Sequence, residues 1–366
     1  MSRDVSIYIH IPFCASKCDY CDFLSFEGAT DFEAYIDALC NEIKEASAHM
    51  GGCVVPTVFF GGGTPTVLSH ALILRVFEAL RAEFRLKNDF VAAIEANPET
   101  VDADSLAALR SMGFGRISFG VQSFDDGHLQ TLGRLHSSQK AADAVKAARA
   151  IGFEDISIDL IFGLPGQSLD GFHADLQAAV SLSPTHISCY GLTIEDGTPL
   201  AANAKALAAL PDEDAERQMY HLARDFLARS GYEQYELSNF ARPGYRCQHN
   251  LRYWTNREYL GLGLGASSYI CSTRYSNTHC LADYISGDFA PRDANKLSEA
   301  DKMAEYCILG LRLTHGISMT RLSADYVEKL GIFAARGLVE IDENRQTARL
   351  TPLGMDLSNQ VFCEFI

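Results

Sequence analysis

Positive charge is what this chain has least of: 31 lysines and arginines stand against 47 aspartates and glutamates, a net charge of −16. Such a chain stays soluble and is not drawn to nucleic acid by a bulk field, which leaves only a local basic patch open to that kind of partner. Long apolar runs are missing too. No stretch approaches the ~18 residues that would suggest a membrane span. The opening Met-Ser-Arg-Asp shows neither a signal-peptide core nor an Arg/Ser-rich presequence, so a cytoplasmic location is expected. Internal repeats and low-complexity tracts are absent. What remains is ordinary globular composition, 47% hydrophobic and 21% charged over 366 residues, enough for one large domain and one or two small ones.

Cysteine runs the other way. Eleven is many for a cytoplasmic chain. Eight of them (Cys40, Cys53, Cys189, Cys247, Cys271, Cys280, Cys307, Cys363) are scattered singly, most among apolar residues, and read as small buried hydrophobes. The odd total and the lack of a secretory signal argue against a disulfide framework. The other three form one tight segment, Cys14-Ala-Ser-Lys-Cys18-Asp-Tyr-Cys21, just after Val5–Ile11, which reads as a buried strand. Structural zinc wants four ligands, usually as two separated pairs, and there is no second CxxC pair; Cys247 and His249 offer ligands only from afar. A CxxxCxxC triplet suits three irons of a [4Fe–4S] cluster, with the fourth iron open to a small molecule.

The first two-thirds of the chain alternate strand and helix. Strands are expected at 5–11, 57–60, 90–96, 116–121, 155–162 and 186–190, with helices at 31–50, 70–84, 102–112, 137–151, 168–182 and 211–230 between and after them. Glycine-rich or polar signals follow every strand, not one or two. That favours a partial TIM-type (β/α)6 barrel, whose active face collects all strand ends, over an open doubly wound sheet. Residues 236–269 read as loop-rich. From about Leu297 the pattern turns helical and ends in a strand pair at 337–341 and 348–350, a winged-helix-like C-terminal module. The expected division is a barrel at 1–235, a connecting segment at 236–296 and a C-terminal domain at 297–366.

Several polar residues stand where a barrel keeps its chemistry. Gly61-Gly-Gly-Thr-Pro-Thr66 follows the second strand, and glycines there let backbone approach a ligand. Glu95 ends the third strand, Gln122 follows the fourth, and Asp159 lies inside the apolar fifth, where a charge needs a partner. Structural pairing within the barrel and binding of a ligand with an amino group and hydroxyls are both open readings. Arg134 taken alone reads as a solvated surface charge. His249-Asn-Leu-Arg-Tyr-Trp254 is a last cluster. A neutral imidazole can ligate heme iron and Tyr253 with Trp254 can pack on a porphyrin face, though a lone loop histidine is more often only hydrogen-bonded and Tyr-Trp is often core.

Cys14, Cys18 and Cys21 match the CxxxCxxC motif of the radical S-adenosylmethionine (SAM) superfamily. With Tyr8-Ile-His-Ile-Pro-Phe-Cys14, GGGTPT and the HNxxYW run, the chain resembles the HemN/HemW family from about residue 5 to its C-terminus, on the side of the heme chaperones. The resemblance implies a [4Fe–4S] cluster held by the three cysteines, and SAM on its fourth iron, cleaved there by one electron to a 5′-deoxyadenosyl radical. It implies SAM contacts from Tyr8, Tyr20, Gly62, Gly63, Thr64, Glu95, Gln122, Arg134 and Asp159, with the SAM amino group on Gly62–Thr64. It makes His249 a heme ligand, with Cys247 a rival, and implies delivery of heme to an acceptor such as a respiratory cytochrome. SAM turnover and homodimerisation are left open.

Two departures separate the chain from the family's oxygen-independent coproporphyrinogen III dehydrogenases. Those carry a further cysteine two residues after the third, where Phe23 stands here, and a long segment ahead of the barrel, where four residues stand here. Both count against radical decarboxylation of a porphyrinogen, which stays as the alternative to a heme chaperone.

Overall fold

In the computed structural model, which describes residues 3–28 and 31–366, six strand–helix steps follow one another from Ser6 to Arg229. The Met1-Ser2 start of the N-terminal stretch read above lies outside the described residues. The steps are β1 (Ser6–Ile11), α1 (Phe32–Met50), β2 (Val54–Gly62), α2 (His70–Glu83), β3 (Arg85–Ala96), α3 (Ala103–Met112), β4 (Arg116–Gln122), α4 (Ser138–Ile151), β5 (Asp155–Phe162), α5 (Leu169–Ser181), β6 (His186–Gly191) and α6 (Glu213–Arg229). Side-chain oxygens at the helix starts explain the phasing: Asp102, Ser137, Ser168 and Asp212 each accept from a backbone N–H in the first turn of α3, α4, α5 and α6.

The six strands stand side by side in chain order, all parallel. A doubly wound sheet would reverse its order at a switch point; here the order never reverses, as in a barrel. β2 and β3 begin earlier than expected. Their first residues pair with each other, Val54 with Arg85, before the apolar run starts.

The segment expected to be loop-rich contains regular elements that extend the sheet. β7 (Asn239–Ala241) runs antiparallel beside β6, α7 (Gln248–Trp254) follows, and β8 (Tyr259–Leu262) lies parallel to β1, with Ser6 facing Tyr259. Beyond β8 the strands Ser267–Ile270, Thr273–Ser276 and Arg292–Lys296 add on antiparallel. Among the described residues the result is one sheet of twelve strands with two free ends, a partial barrel.

One apolar cluster seals the helices to the strands, among it Ile7, Val58, Phe60, Ile94, Ile117 and Ile158. The C-terminal part has a core of its own around Cys307, Leu311, Leu330, Phe333 and Val361. There the helices Glu299–Gly310 and Ala324–Ala335 pack with a hairpin, Val339–Asp342 and Thr347–Leu350, and a third short strand, Ile317–Ser318. That is the helix-and-hairpin arrangement expected, with one strand more.

Candidate cofactor site

The loop that carries the three cysteines leaves the C-terminal end of β1. Its base is closed by a two-rung parallel ladder, Phe13 with Phe26 and Cys14 with Glu27. Its far side is tied to the barrel by backbone bonds from Asp19 N–H to the Leu132 carbonyl and from Leu200 N–H to the Asp19 carbonyl. The glycine turn after β2 presses against it from below: Gly63 N–H reaches the Ile11 carbonyl at 2.8 Å and Thr64 N–H the Phe13 carbonyl at 2.7 Å. Two of these glycines cannot be replaced in place. A Cβ on Gly63 would lie 2.6 Å from the Phe13 carbonyl oxygen, and Gly62, at φ +111°, would drive one to 2.6 Å from the His10 ring.

These segments wall a cavity of about 450 Å³ over the C-terminal ends of the parallel strands. Cys14, Cys18, Cys21, Tyr20, Gly62, Gly63, Thr64, Glu95, Gln122, Arg134 and Asp159 all line it. Eleven of the thirteen residues singled out from the sequence thus meet in one space. Tyr8 and His249 do not. They line a second cavity of about 180 Å³ deeper along the barrel axis, whose wall it shares with the first at Glu95, Ser118, Asp159 and Tyr190.

Electrostatics inside the first cavity are set by burial. Glu95 is pushed up to about 8, mainly by burial and then by the nearby Asp159, with the Gly62 N–H at 3.3 Å opposing. Burial also raises Asp159, against hydroxyl donors from Ser188 (2.6 Å), Ser118 (3.1 Å) and Ser157 (3.4 Å) on three adjacent strands. Arg134 is no surface charge. Its fork donates to Cys18 Sγ at 3.2 Å, Asn97 Oδ1 at 2.7 Å and the Gly120 carbonyl at 2.6 Å. Asn97 in turn donates to Thr64 Oγ1, which reaches Cys14 Sγ at 3.6 Å, so one hydrogen-bonded chain joins two of the three thiols. Gln122 sits at φ +70°, a strained backbone for a non-glycine residue, at a bulge where β4 loses register with β5.

The donor set shows what this end of the cavity can hold. Among the described residues, no three Cys, His, Asp or Glu side chains converge tightly enough to bind a single metal ion. The three free thiols line one end of the cavity together, the ligand type and number that three irons of a cluster take. Burial raises the Cys18 and Cys21 thiols above their usual range, and the Arg134 guanidinium favours the Cys18 thiolate. The residues fit a thiolate-held cluster.

Asn97, Ser118 and Ser188 were not singled out from the sequence. Ser118 shares the inward face of β4 with Gln122 at the alternating spacing of a strand, and Asn97 follows Glu95 by two residues, so period-two counting from the residues already marked finds both.

His249 is 3% exposed, and burial holds its ring neutral, down to about 3. It bonds to Thr57 Oγ1 through Nδ1 at 2.9 Å and to the Tyr253 hydroxyl through Nε2 at 2.8 Å. Cys247 is buried beside Arg116.

Comparison with known proteins agrees with this geometry. The sequence profile of the radical SAM superfamily matches residues 8–179. The heme chaperone HemW of Bacillus subtilis is 37% identical over 376 residues, covering 99% of this chain and 99% of its own. The heme chaperone HemW of Escherichia coli is 42% identical over 264 residues, covering 72% of this chain and 69% of its own. Among solved structures, the radical SAM enzyme coproporphyrinogen III oxidase (HemN) from Escherichia coli superposes with a TM-score of 0.88 at 28% identity, over 100% of this chain and 90% of that one.

Proposed function

This chain belongs to the radical SAM superfamily, in its HemW family, and from that premise we propose that it is a heme-binding protein of chaperone type. It holds a [4Fe–4S] cluster and SAM in the barrel, binds heme, and hands it to an acceptor protein of the respiratory cytochrome kind. The observation that carries the first half is the meeting of three thiols and the polar ends of β2, β3, β4 and β5 in one cavity. The second half rests on full-length likeness to proteins named heme chaperones. Among the described residues no helix is long and apolar enough to cross a membrane; the cytoplasm is the proposed site of action.

When bound, the cluster supplies an electron and an open iron position to SAM. The protein's part is placement. Cys14, Cys18 and Cys21 hold the irons. Gly62, Gly63 and Thr64 offer the backbone groups for the SAM amino end, beside Glu95. Asp159, held by three serine hydroxyls, faces the ligand's hydroxyls. Gln122 and Tyr20 close the sides, Arg134 fixes the loop that carries Cys18, and Tyr8 lines the deeper cavity that Glu95 also borders. His249 supplies the heme ligand. The barrel at 1–235 does the cofactor binding, the segment at 236–296 carries His249, and 297–366 is the C-terminal domain.

A second reading, oxygen-independent oxidation of coproporphyrinogen III, is favoured by the close superposition on the oxidase of that name. Two assays on the reconstituted protein separate them. Hemin titration is expected to give saturable binding, and coproporphyrinogen III is expected to remain unconverted. No hemin binding with formation of protoporphyrinogen IX would reverse the assignment.

A further inference from the structure

Gln122 lines the cofactor cavity from a backbone conformation that a glutamine rarely takes. Its φ is +70°, and the Ser123 N–H donates back across it to the Val121 carbonyl at 2.9 Å. That closes a three-residue γ-turn of the rare, strained hand at the end of β4. The side-chain amide lies over Gly120. A Cβ on that glycine would stand 2.9 Å from Gln122 Nε2, 3.0 Å from Asn97 Oδ1 and 3.4 Å from Arg134 Nη2. The turn therefore brings the Gln122 amide to the place where Asn97 and Arg134 already meet. A turn that served only to end the strand would be met by glycine, which takes φ +70° without strain.

Such a conformation persists only where its surroundings over-determine it. Here they do so on both sides of Gln122. After the turn, the buried Asp175 carboxylate of α5 accepts from Ser123 Oγ at 2.9 Å and from the Phe124 N–H at 2.6 Å. The Ser123 oxygen itself accepts from the Asp125 N–H at 3.0 Å. Asp175 also accepts from Gln167 Nε2 at 3.3 Å, and Gln167 Oε1 takes the Leu164 N–H at 3.2 Å, so one carboxylate gathers the exits of β4 and β5. Before the turn, the buried His136 ring donates from Nε2–H to the same Val121 carbonyl at 3.1 Å and pairs through Nδ1 with the Glu99 carboxylate at 3.1 Å. Glu99 follows β3, so this second clamp ties β4 to its other neighbour. Asp175 and His136 stand outside the cavity wall.

We propose that Asp175 and His136 are positioning residues for SAM, which hold from behind the strained turn that keeps the Gln122 amide in the cavity. Asp175 fixes Ser123 and Phe124 after the turn, and His136 fixes the carbonyl before it. Released from either clamp, the backbone at 122 relaxes toward negative φ and carries the amide away from Gly120. This inference rests on the SAM reading above.

The test is the SAM affinity of the reconstituted full chain, read by equilibrium dialysis, with iron and sulfide content measured alongside. Asp175→Asn sets an amide N–H against groups that are themselves donors. It is expected to weaken SAM binding roughly tenfold, and Ser123→Ala and His136→Gln roughly fivefold each, the factors that hydrogen bonds to charged and neutral groups carry. Cluster content is expected to stay at the wild-type level in all three. Gln122→Gly decides whether these losses pass through the turn, because it removes the strain and the amide together. It is expected to weaken SAM binding by itself, and on that background Asp175→Asn or Ser123→Ala is expected to change the affinity by less than about twofold. Should Asp175→Asn fail to fold, Ser123→Ala carries the same comparison. A merely structural role would cost as much in the Gln122→Gly background as in the wild type. That result, or wild-type affinity in both Ser123→Ala and His136→Gln, would overturn the positioning role while SAM binding itself survives. A reconstituted wild type that binds no SAM would overturn the SAM reading and the positioning role with it.

Discussion

Arg134 shows how one side chain can bind a site together. Its guanidinium spans Cys18, Asn97 and Gly120, three points on three different segments. Lysine keeps the charge but not the fork, so Arg134→Lys is expected to leave the fold intact and weaken SAM binding to the reconstituted protein roughly tenfold, read by equilibrium dialysis. Cys14→Ala is expected to abolish the cluster absorbance after anaerobic reconstitution, since two thiols cannot replace three. Gly63→Ala should do comparable damage by another route. Its methyl meets the Phe13 backbone, which must move, and Phe13 leads directly into Cys14. A lower melting temperature together with lost cluster content is the expected pair of results. At this scale the thiols and the strand-end carboxylates were legible because their residue types are unusual in such places. Arg134 was marked by the resemblance alone, since nothing in its own sequence context distinguishes a surface arginine from one folded back over a loop. Ser188 beside Asp159 was hidden for a similar reason: it acquires meaning only once the strand that carries it is a neighbour of β5.

Among the elements, the six βα steps could be read from the sequence because each carries its own hydrophobic period, and four of the helices a capping side chain as well. β8 could not. Tyr259-Leu-Gly-Leu262 is short and broken by glycine, a weak strand on its own, and Gly261 is present because the Ser267 backbone crosses close to it. Its place is fixed by tertiary contacts instead. Glu42 on α1 is among them: its carboxylate accepts from Gly263 N–H (2.8 Å), Asn277 Nδ2 (2.5 Å) and the Tyr284 hydroxyl (2.5 Å). Burial outweighs those three donors and pushes Glu42 up to about 7 from 4.5. The folded chain therefore holds a proton between those two values that the unfolded chain has released. Stability is expected to fall as pH rises across that window, by up to about 1.4 kcal/mol per pH unit, and to level off above it. Urea unfolding at pH 5, 6, 7 and 8 reads this slope. Glu42→Gln, though less stable overall, should flatten it.

For the molecule as a whole, the single tryptophan is a useful reporter. Trp254 sits where the C-terminal domain meets the barrel, beneath Arg312. Arg312→Ala leaves Glu236 buried without its cation, and losses of about 3–5 kcal/mol are typical of such a change. A lower melting temperature and a red shift of the Trp254 emission, with the far-UV circular dichroism of the barrel retained at low temperature, are expected. If the emission is unmoved, the two parts are not joined through this contact.

β1 has one neighbour that is made early and one that is made late. β2 follows it directly in the chain, whereas Ser6 through Ile9 find their other partners at Tyr259 through Leu262. During synthesis the strand that leads into the cysteine loop therefore waits, with one edge bare, until most of the protein has left the ribosome. The ladder on which the cysteine loop rests is therefore complete only once residues 259–262 have been made, whereas the loop's own ties, to Thr64, Leu132 and Leu200, need only the chain before them.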